Sequence, residues 1–436
     1  MELQGWGRYP RMGAKVVSPL SPSQFAGSLR GPTPSIPQIA RGLGRSYGDS
    51  ALGEQVICTR HLDHFLAFDD ATGLLTCEAG VSLDAILRVV VPRGWFLPVT
   101  PGTRFVTVGG AIASDVHGKN HHGEGTFCRH VQAIDILLGN GEAVTASLTE
   151  NPDLFRATCG GMGLTGVILC AVVQLKPIAA SDILETTIKT PCLDAVLDAF
   201  DAHAGATYSV AWIDCLARGK RLGRSLLMLG EHAAHGPLVV QPHRALPVPF
   251  NMPAVLLNRA TVQAFNTLYY ARVRQGRSSR RIPFEPFFYP LDALSDWNRL
   301  YGRPGLVQYQ FVLPKAAGVA GLREVLGRIV QSGRGSFLAV LKAFGPANGN
   351  LLSFPIEGYP LALDFKVEPA VFELLQALDR IVLHHGGRLY LTKDARMSEA
   401  MFKASYPQWQ AFEAVRARWH AHGRFASAQS RRLGLV

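Results

Sequence analysis

The chain has 436 residues, 47% of them hydrophobic and 18% charged, a mix that excludes a disordered or fibrous protein and, at roughly 150 residues per domain, points to two or three domains. Forty-four Lys and Arg against 33 Asp and Glu leave a net charge of +11, which suits an anionic partner such as nucleic acid, a membrane surface or a phosphorylated substrate without choosing among them. The seven cysteines are odd in number, scattered and without a C-x-x-C pair, so reduced thiols are expected, with no disulfide framework and no zinc site.

The first residues carry no apolar run of the signal-peptide kind, and no uninterrupted apolar stretch reaches membrane-span length. The expected location is therefore the cytoplasm or the inner face of a membrane, with no signal peptide and no transmembrane helix. Residues 65–68 and 74–77 flank a turn-rich stretch and predict a hairpin. Residues 134–138 and 143–146 flank Asn140-Gly141, a strong two-residue hairpin signal. Asn151-Pro152-Asp153 predicts the start of a short helix to 158, with Pro at the first helical position, and a strand follows at 167–175. The first part thus reads as α+β without regular β-α-β alternation.

Beyond Lys176-Pro177 a second pattern begins. Strands are predicted at 184–188, 209–214, 225–229, 307–313, 337–344 and 361–367, and helices at 193–203, 316–330 and 371–384. Strands in succession with helices between them predict an antiparallel sheet covered on one face. The pattern lapses at 236–283, where five prolines precede a helix-like stretch at 260–274 and then Arg277, Arg280 and Arg281. A solvated surface loop is the plain expectation for this segment, and a mobile basic lid is the alternative.

Three glycine-rich segments carry the chemistry. Arg41 to Ser50 (R-G-L-G-R-S-Y-G-D-S) follows a predicted strand; its backbone N–H groups either converge on a diphosphate or simply make a turn. Residues 101–122 combine the small-residue run Gly109 to Ala113 with Lys119 and three histidines. His117, His121 and His122 lack a Cys or carboxylate to complete a metal set, so no metal is expected. Residues 161–166 match G-x-G-x-x-G, but follow a helix and open a strand, the reverse of a Rossmann fingerprint, which excludes that kind of NAD site.

Together, and in this order, R-G-L-G-R-S-Y-G-D-S, P-G-T-R-x-V-T-V-G-G-A-I-A-x-D-x-H-G-K-N-H-H and G-G-x-G-L-T-G-V-I resemble the flavin domain of the vanillyl-alcohol-oxidase, or PCMH-type, FAD-binding oxidoreductase family. Q-Y-Q-F-V-x-P (308–314), K-A-F-G-P (342–346) and G-G-R-L-Y-L-T-K-D (386–394) extend the likeness over nearly the whole chain. The resemblance implies a two-domain α+β flavoprotein: a PCMH-type FAD-binding domain at 1–177, an antiparallel-sheet substrate domain at 178–387 with a mobile basic loop around 231–283, and a C-terminal segment at 388–436 completing the FAD domain. It implies cofactor contact at Gly42, Gly44, Arg45, Ser46, Tyr47, Gly48, Ser50, Gly102, Thr107, Val108, Gly109, Gly110, Ser114, Asp115, His117, Ile168 and Tyr390. Many relatives bind flavin covalently through a histidine where Arg45 stands, so non-covalent FAD is expected.

The reaction implied is oxidation of the C2 hydroxyl of a ribose carried on a polyprenyl phosphate, the first half of an epimerisation to the arabinose form in cell-wall biogenesis. A ketoreductase using NAD(P)H is the implied partner, and quinone or O2 the electron acceptor. Such chemistry needs a hydride acceptor and a group that takes the hydroxyl proton; Lys393, His117 and Tyr47 are the catalytic candidates. Lys393 could instead be a surface lysine paired with the adjacent Asp394. Strand periodicity places Gln310, Lys342 and Asp364 on one sheet face, apt for a sugar phosphate, or alternatively with Lys342 and Asp364 as a structural ion pair; Tyr289 and Lys119 complete the substrate candidates. Ala362 and Ser114 replace cysteines of many relatives, and Pro360 replaces an asparagine. The alternative function is oxidation of another sugar or polyol within the same superfamily. Binding of nucleic acid is not expected, because the arginines at 272–281 belong to no recognisable module.

Overall fold

The computed structural model describes residues 1–29, 36–242 and 244–435. Near the N-terminus, β1 (Lys15–Val17), β2 (Gln38–Arg41) and β3 (Gln55–Cys58) pair in parallel in the order β1-β3-β2. A second sheet of five antiparallel strands follows, formed by β4 (Phe65–Asp69), β5 (Leu74–Glu78), β6 (Val131–Leu137), β7 (Ala143–Ser147) and β8 (Val167–Gln174), in the order β7-β6-β8-β5-β4. Both expected hairpins are present. Gly141 sits at φ +85° in the β6–β7 turn, a left-handed conformation that glycine adopts without steric cost.

Two of the short helices in this part bear on the site. In α1 (Val108–Ala113) the side chain of Thr107 accepts a hydrogen bond from the Gly110 N–H, satisfying one of the orphan donors of a helix start. Its Val108, Ala111 and Ile112 face inward, leaving the glycine side open. Helix α2 (Pro152–Thr158) begins at the predicted proline and leads through the glycines at 160–166 into β8.

Eight antiparallel strands make the third sheet: β9 (Ile183–Thr190), β10 (Tyr208–Ile213), β11 (Ser225–His232), β12 (Arg277–Ile282), β13 (Leu306–Pro314), β14 (Ala339–Leu341), β15 (Gly358–Lys366) and β16 (Arg388–Leu389). Their order is β12-β9-β11-β10-β14-β15-β13-β16. Helices α3 (Leu193–Ala202), α5 (Gly318–Ser332) and α6 (Pro369–His384) cover one face, and α4 (Arg259–Ala271) lies in the segment preceding β12. Val307, Tyr309, Phe311 and Leu313 join the core beneath those helices. Strand alternation then turns Gln308 and Gln310 to the other face.

Two expectations are corrected. Residues 236–283 are not one irregular loop: α4 has an Asn258 N-cap with a full capping box, and β12 is an edge strand pairing with β9 in the register Glu185↔Arg280. The Asn258 capping box starts α4 once the prolines are past, whereas β12 is made a strand by its pairing with β9. The strand expected at 337–344 is confined to β14, so Lys342 follows the strand end, its N–H donating to Pro360 O at 3.1 Å.

The C-terminal chain returns to the first sheet. Gln38 N–H donates to Arg424 O at 2.8 Å, Ala426 N–H to Gln38 O at 3.0 Å, and Arg432, the last residue of helix α7 (Ala428–Arg432), pairs with Asp49 at 2.8 Å and Asp394 at 2.9 Å. Among the described residues no helix is long and apolar enough to cross a membrane, and all seven cysteines are free thiols.

Candidate functional site

A cavity of about 830 Å³ is lined by the turn after β2, the residues around α1, and the face of the eight-stranded sheet opposite its helices. In the turn, the backbone N–H groups of Gly42, Leu43, Gly44, Arg45 and Ser46 donate to no acceptor among the described residues. Gly44 has φ +65°, and a Cβ on Gly42 would lie 2.5 Å from Thr107 Oγ1. A run of free amides around a left-handed glycine is a nest suited to a diphosphate. Gly102, Gly109, Gly110, Ala113 and Ser114 continue the wall as a surface with little side-chain relief, on which a flat ring can rest. The residues present therefore fit a dinucleotide such as FAD.

At the other end the cavity is cationic. Lys119, Lys342 and Lys393 all line it. Burial pushes Lys119 down to about 7, Lys342 to about 8 and Lys393 to about 8, with Lys342 also lowered by Lys393 and with Asp364 opposing the fall at Lys393. The Lys393 ammonium lies 4.0 Å from the centre of the Tyr47 ring, and neither the Lys342 nor the Lys393 side-chain ammonium donates to an acceptor among the described residues. Neither of the ion pairs weighed as alternatives from sequence is formed. Asp394 pairs with Arg432 at 2.9 Å, so it is not Lys393's partner. No ion pair joins Lys342 to Asp364: Gln308 Nε2 donates to Asp364 Oδ1 at 2.5 Å, the other carboxylate oxygen has no partner, and burial raises this carboxyl to about 7.

His117 is held by aromatic neighbours, with ring centroids of Phe344, Tyr390 and Phe354 at 4.8, 5.1 and 5.6 Å. Burial, reinforced by the Lys342 charge, keeps its pKa well below the usual imidazole range, so the ring is neutral. With its proton on Nδ1, Nε2 accepts from Gln310 Nε2 at 2.9 Å. The Tyr47 phenol is pushed well up by burial, reinforced by the Asp364 charge, which keeps it protonated. His121 packs on Phe344 at 4.3 Å, and no group of three or more His, Cys, Asp or Glu among the described residues is placed to hold a metal ion.

Of the residues singled out from sequence, Gly42, Gly44, Arg45, Ser46, Tyr47, Ser50, Gly102, Thr107, Gly109, Gly110, Ser114, His117, Ile168 and Tyr390 line the cavity, as do Lys119, Gln310, Lys342 and Lys393. Five do not. Val108 points into the core beneath α1. Gly48 packs where a Cβ would meet Asp394 O at 1.8 Å. Asp115 is fully buried and accepts from Asn348 at 2.8 Å, Asn350 at 2.9 Å and Ser353 at 2.7 Å, a clasp rather than a cofactor contact. The Tyr289 hydroxyl is engaged with Thr100 Oγ1 at 2.7 Å, and Asp364 lies beneath Gln308. Sequence reading missed Trp6 and Gln308. Trp6 lies under the Arg45 guanidinium at 4.2 Å, and only folding brings them together. Gln308 was detectable, being two residues from Gln310 on the same strand face.

Residues 14–147 match the family model described as an FAD binding domain. The chain is 38% identical to a decaprenylphosphoryl-β-D-ribose oxidase of Mycolicibacterium smegmatis, covering 100% of this chain and 97% of that protein. It is 33% identical to an uncharacterized protein in the mprA 5′ region of Streptomyces coelicolor over 81% of this chain and 100% of that one. A putative D-arabinono-1,4-lactone oxidase of Neurospora crassa is 31% identical over 31% of this chain and 24% of its own length.

Proposed function

This chain belongs to the decaprenylphosphoryl-β-D-ribose oxidase family, and on that premise we propose that it uses FAD to oxidise the C2 hydroxyl of a polyprenylphosphoryl-β-D-ribose to the 2-keto sugar. The observation that carries the reading is the continuity of one cavity, with a nest of free amides at one end and Lys342, Lys393 and Gln310 at the other. FAD, when bound, supplies the hydride acceptor. The amides of Gly42 to Ser46 would hold its diphosphate, and α1 and Ser114 supply the wall on which its ring would rest. Arg45 offers no side-chain atom for the histidyl bond of other members, and its guanidinium is taken up by Trp6; the cofactor is held non-covalently.

Lys342 and Lys119 attract the sugar phosphate, and Gln310 orients the ribose. Lys393 is the one candidate whose pKa lets it accept a proton near neutrality, since the His117 ring is too weak a base and the Tyr47 phenol already holds its proton. Lys393 Nζ would take the hydroxyl proton as C2 is oxidised, and the ammonium so formed would place positive charge beside the ring site, where FAD would take up the hydride. The division into 1–177, 178–387 and 388–436 belongs to the same reading, supported by the return of residues 424–432 to the first sheet. A ketoreductase using NAD(P)H completes the epimerisation, and quinone or O2 reoxidises the cofactor.

Anaerobic titration with farnesylphosphoryl ribose tests the reading: stoichiometric loss of the oxidised-flavin absorption is expected, with none on soluble polyols. The reverse pattern would overturn it. Acid precipitation should leave the colour in the supernatant, and colour in the pellet contradicts the assignment made to Arg45.

A further inference from the structure

Between Glu231 and Glu285 the sequence has seven arginines and not one acidic residue. The same stretch contains the densest run of exposed apolar side chains: Leu246 is 72% exposed, Phe250 60%, Val255 73%, Leu256 51% and Leu268 73%. Isolated exposed apolar residues are ordinary, but a run of them set among unopposed positive charges is not. The stretch is held in place at several points. Leu246 pairs with Leu294, Met252 N–H donates to Arg299 O at 2.9 Å, and Asn258 caps α4. It also forms part of the cavity rim, since Tyr269 and Arg272 line the cavity while Leu268 and Arg274 next to them face out.

From this juxtaposition we propose that residues 246–274 are a docking surface for an anionic phospholipid bilayer, placing the cavity mouth against the membrane. Two observations select lipid over nucleic acid. Exposed Leu, Val and Phe gain nothing from a phosphodiester backbone but are stabilised at the headgroup–acyl boundary, and arginines among them pair with anionic headgroups. Beyond the patch, on β12, two of the arginines that would extend a basic track for nucleic acid are already engaged, Arg280 with Glu185 at 2.8 Å and Arg281 with Asp182 at 2.7 Å. The assignment rests on the proposed lipid-linked substrate only for its purpose: a polyprenyl tail leaving the cavity would enter the bilayer directly.

The test is co-sedimentation of the full-length, FAD-loaded protein with phosphatidylcholine vesicles, with and without phosphatidylglycerol. Binding is expected only to the anionic vesicles and should weaken with salt. An arginine near such a surface contributes about fivefold to partition, so Arg259→Gln with Arg274→Gln should lower binding by about 25-fold. Val255→Ser with Leu268→Ser should lower it by about tenfold or more. None of these four residues lines the cavity, so flavin content and bleaching by farnesylphosphoryl ribose in solution should stay unchanged, which also shows that the variants fold. Failure to bind either vesicle, or binding indifferent to both double variants, overturns the surface. So does retardation by a single-stranded oligonucleotide that the arginine pair abolishes, or a concentration-dependent dimer that the Val255 and Leu268 changes dissolve. Vesicle binding without bleaching would instead remove the substrate reading and leave the surface standing.

Discussion

Lys393 couples the electrostatics of the cavity to its chemistry. Its ammonium is depressed to about 8 by burial, while the Asp364 carboxylate beneath Gln308 holds it up. In the proposed mechanism the neutral amine accepts the proton, so the rate of substrate-dependent bleaching should rise with pH and level off above about 8. Asp364→Asn removes the opposing negative charge and so lowers the Lys393 pKa further; the rising limb should move to lower pH, as read by stopped-flow reduction across a pH series. An unmoved or upward-shifted limb would separate the two residues. Lys393→Met should abolish bleaching per bound flavin, whereas replacing the outward-facing Lys403 should leave it unchanged. Lys393 could be picked out from its motif; Asp364's position under Gln308 could not, since only the register Gln308↔Asp364 sets it.

Among the elements, α1 and the turn after β2 form one unit. The Thr107 hydroxyl oxygen accepts from Gly110 N–H at 3.1 Å, and the same side chain bounds the space that a Cβ on Gly42 would need. Thr107→Val keeps the shape and removes the acceptor, leaving a helix-start donor unsatisfied. A loss of about 1 kcal/mol is expected, measured as a lower urea midpoint with an unchanged slope, together with faster FAD release on dilution. Elements with strong local signals were legible from sequence: the Asn140-Gly141 hairpin, the proline-started α2, and the alternation of β13. In β12 the exposed pattern Arg277 to Ile282 lacks an apolar face, so nothing local distinguishes it from a loop. It becomes a strand because β9 offers it backbone partners.

For the molecule as a whole, the site collects positive charge that the fold must tolerate. Lys119, Lys342 and Lys393 each have a folded pKa below the unfolded value of about 10.4. Between about pH 7 and 10 the unfolded chain therefore binds more protons than the folded one, and stability rises with pH over that window. Protein stripped of FAD should show a thermal midpoint that climbs from pH 7 to 9, and Lys342→Met should flatten the climb; a midpoint falling over this range would contradict the clustering. Strand and helix periodicity and the turn signals were enough, by themselves, to determine an α+β chain, because turn chemistry and amphipathic period are local properties that survive without neighbours; the flavin was legible only because the three glycine segments together resemble those of a known FAD-binding family. Which of the nominated residues reach the cavity was decided by tertiary structure alone. Asp115 became a clasp and Tyr289 a partner of Thr100, while Trp6 came to lie under Arg45, because burial, register and ion pairing depend on chain segments hundreds of residues apart meeting in space.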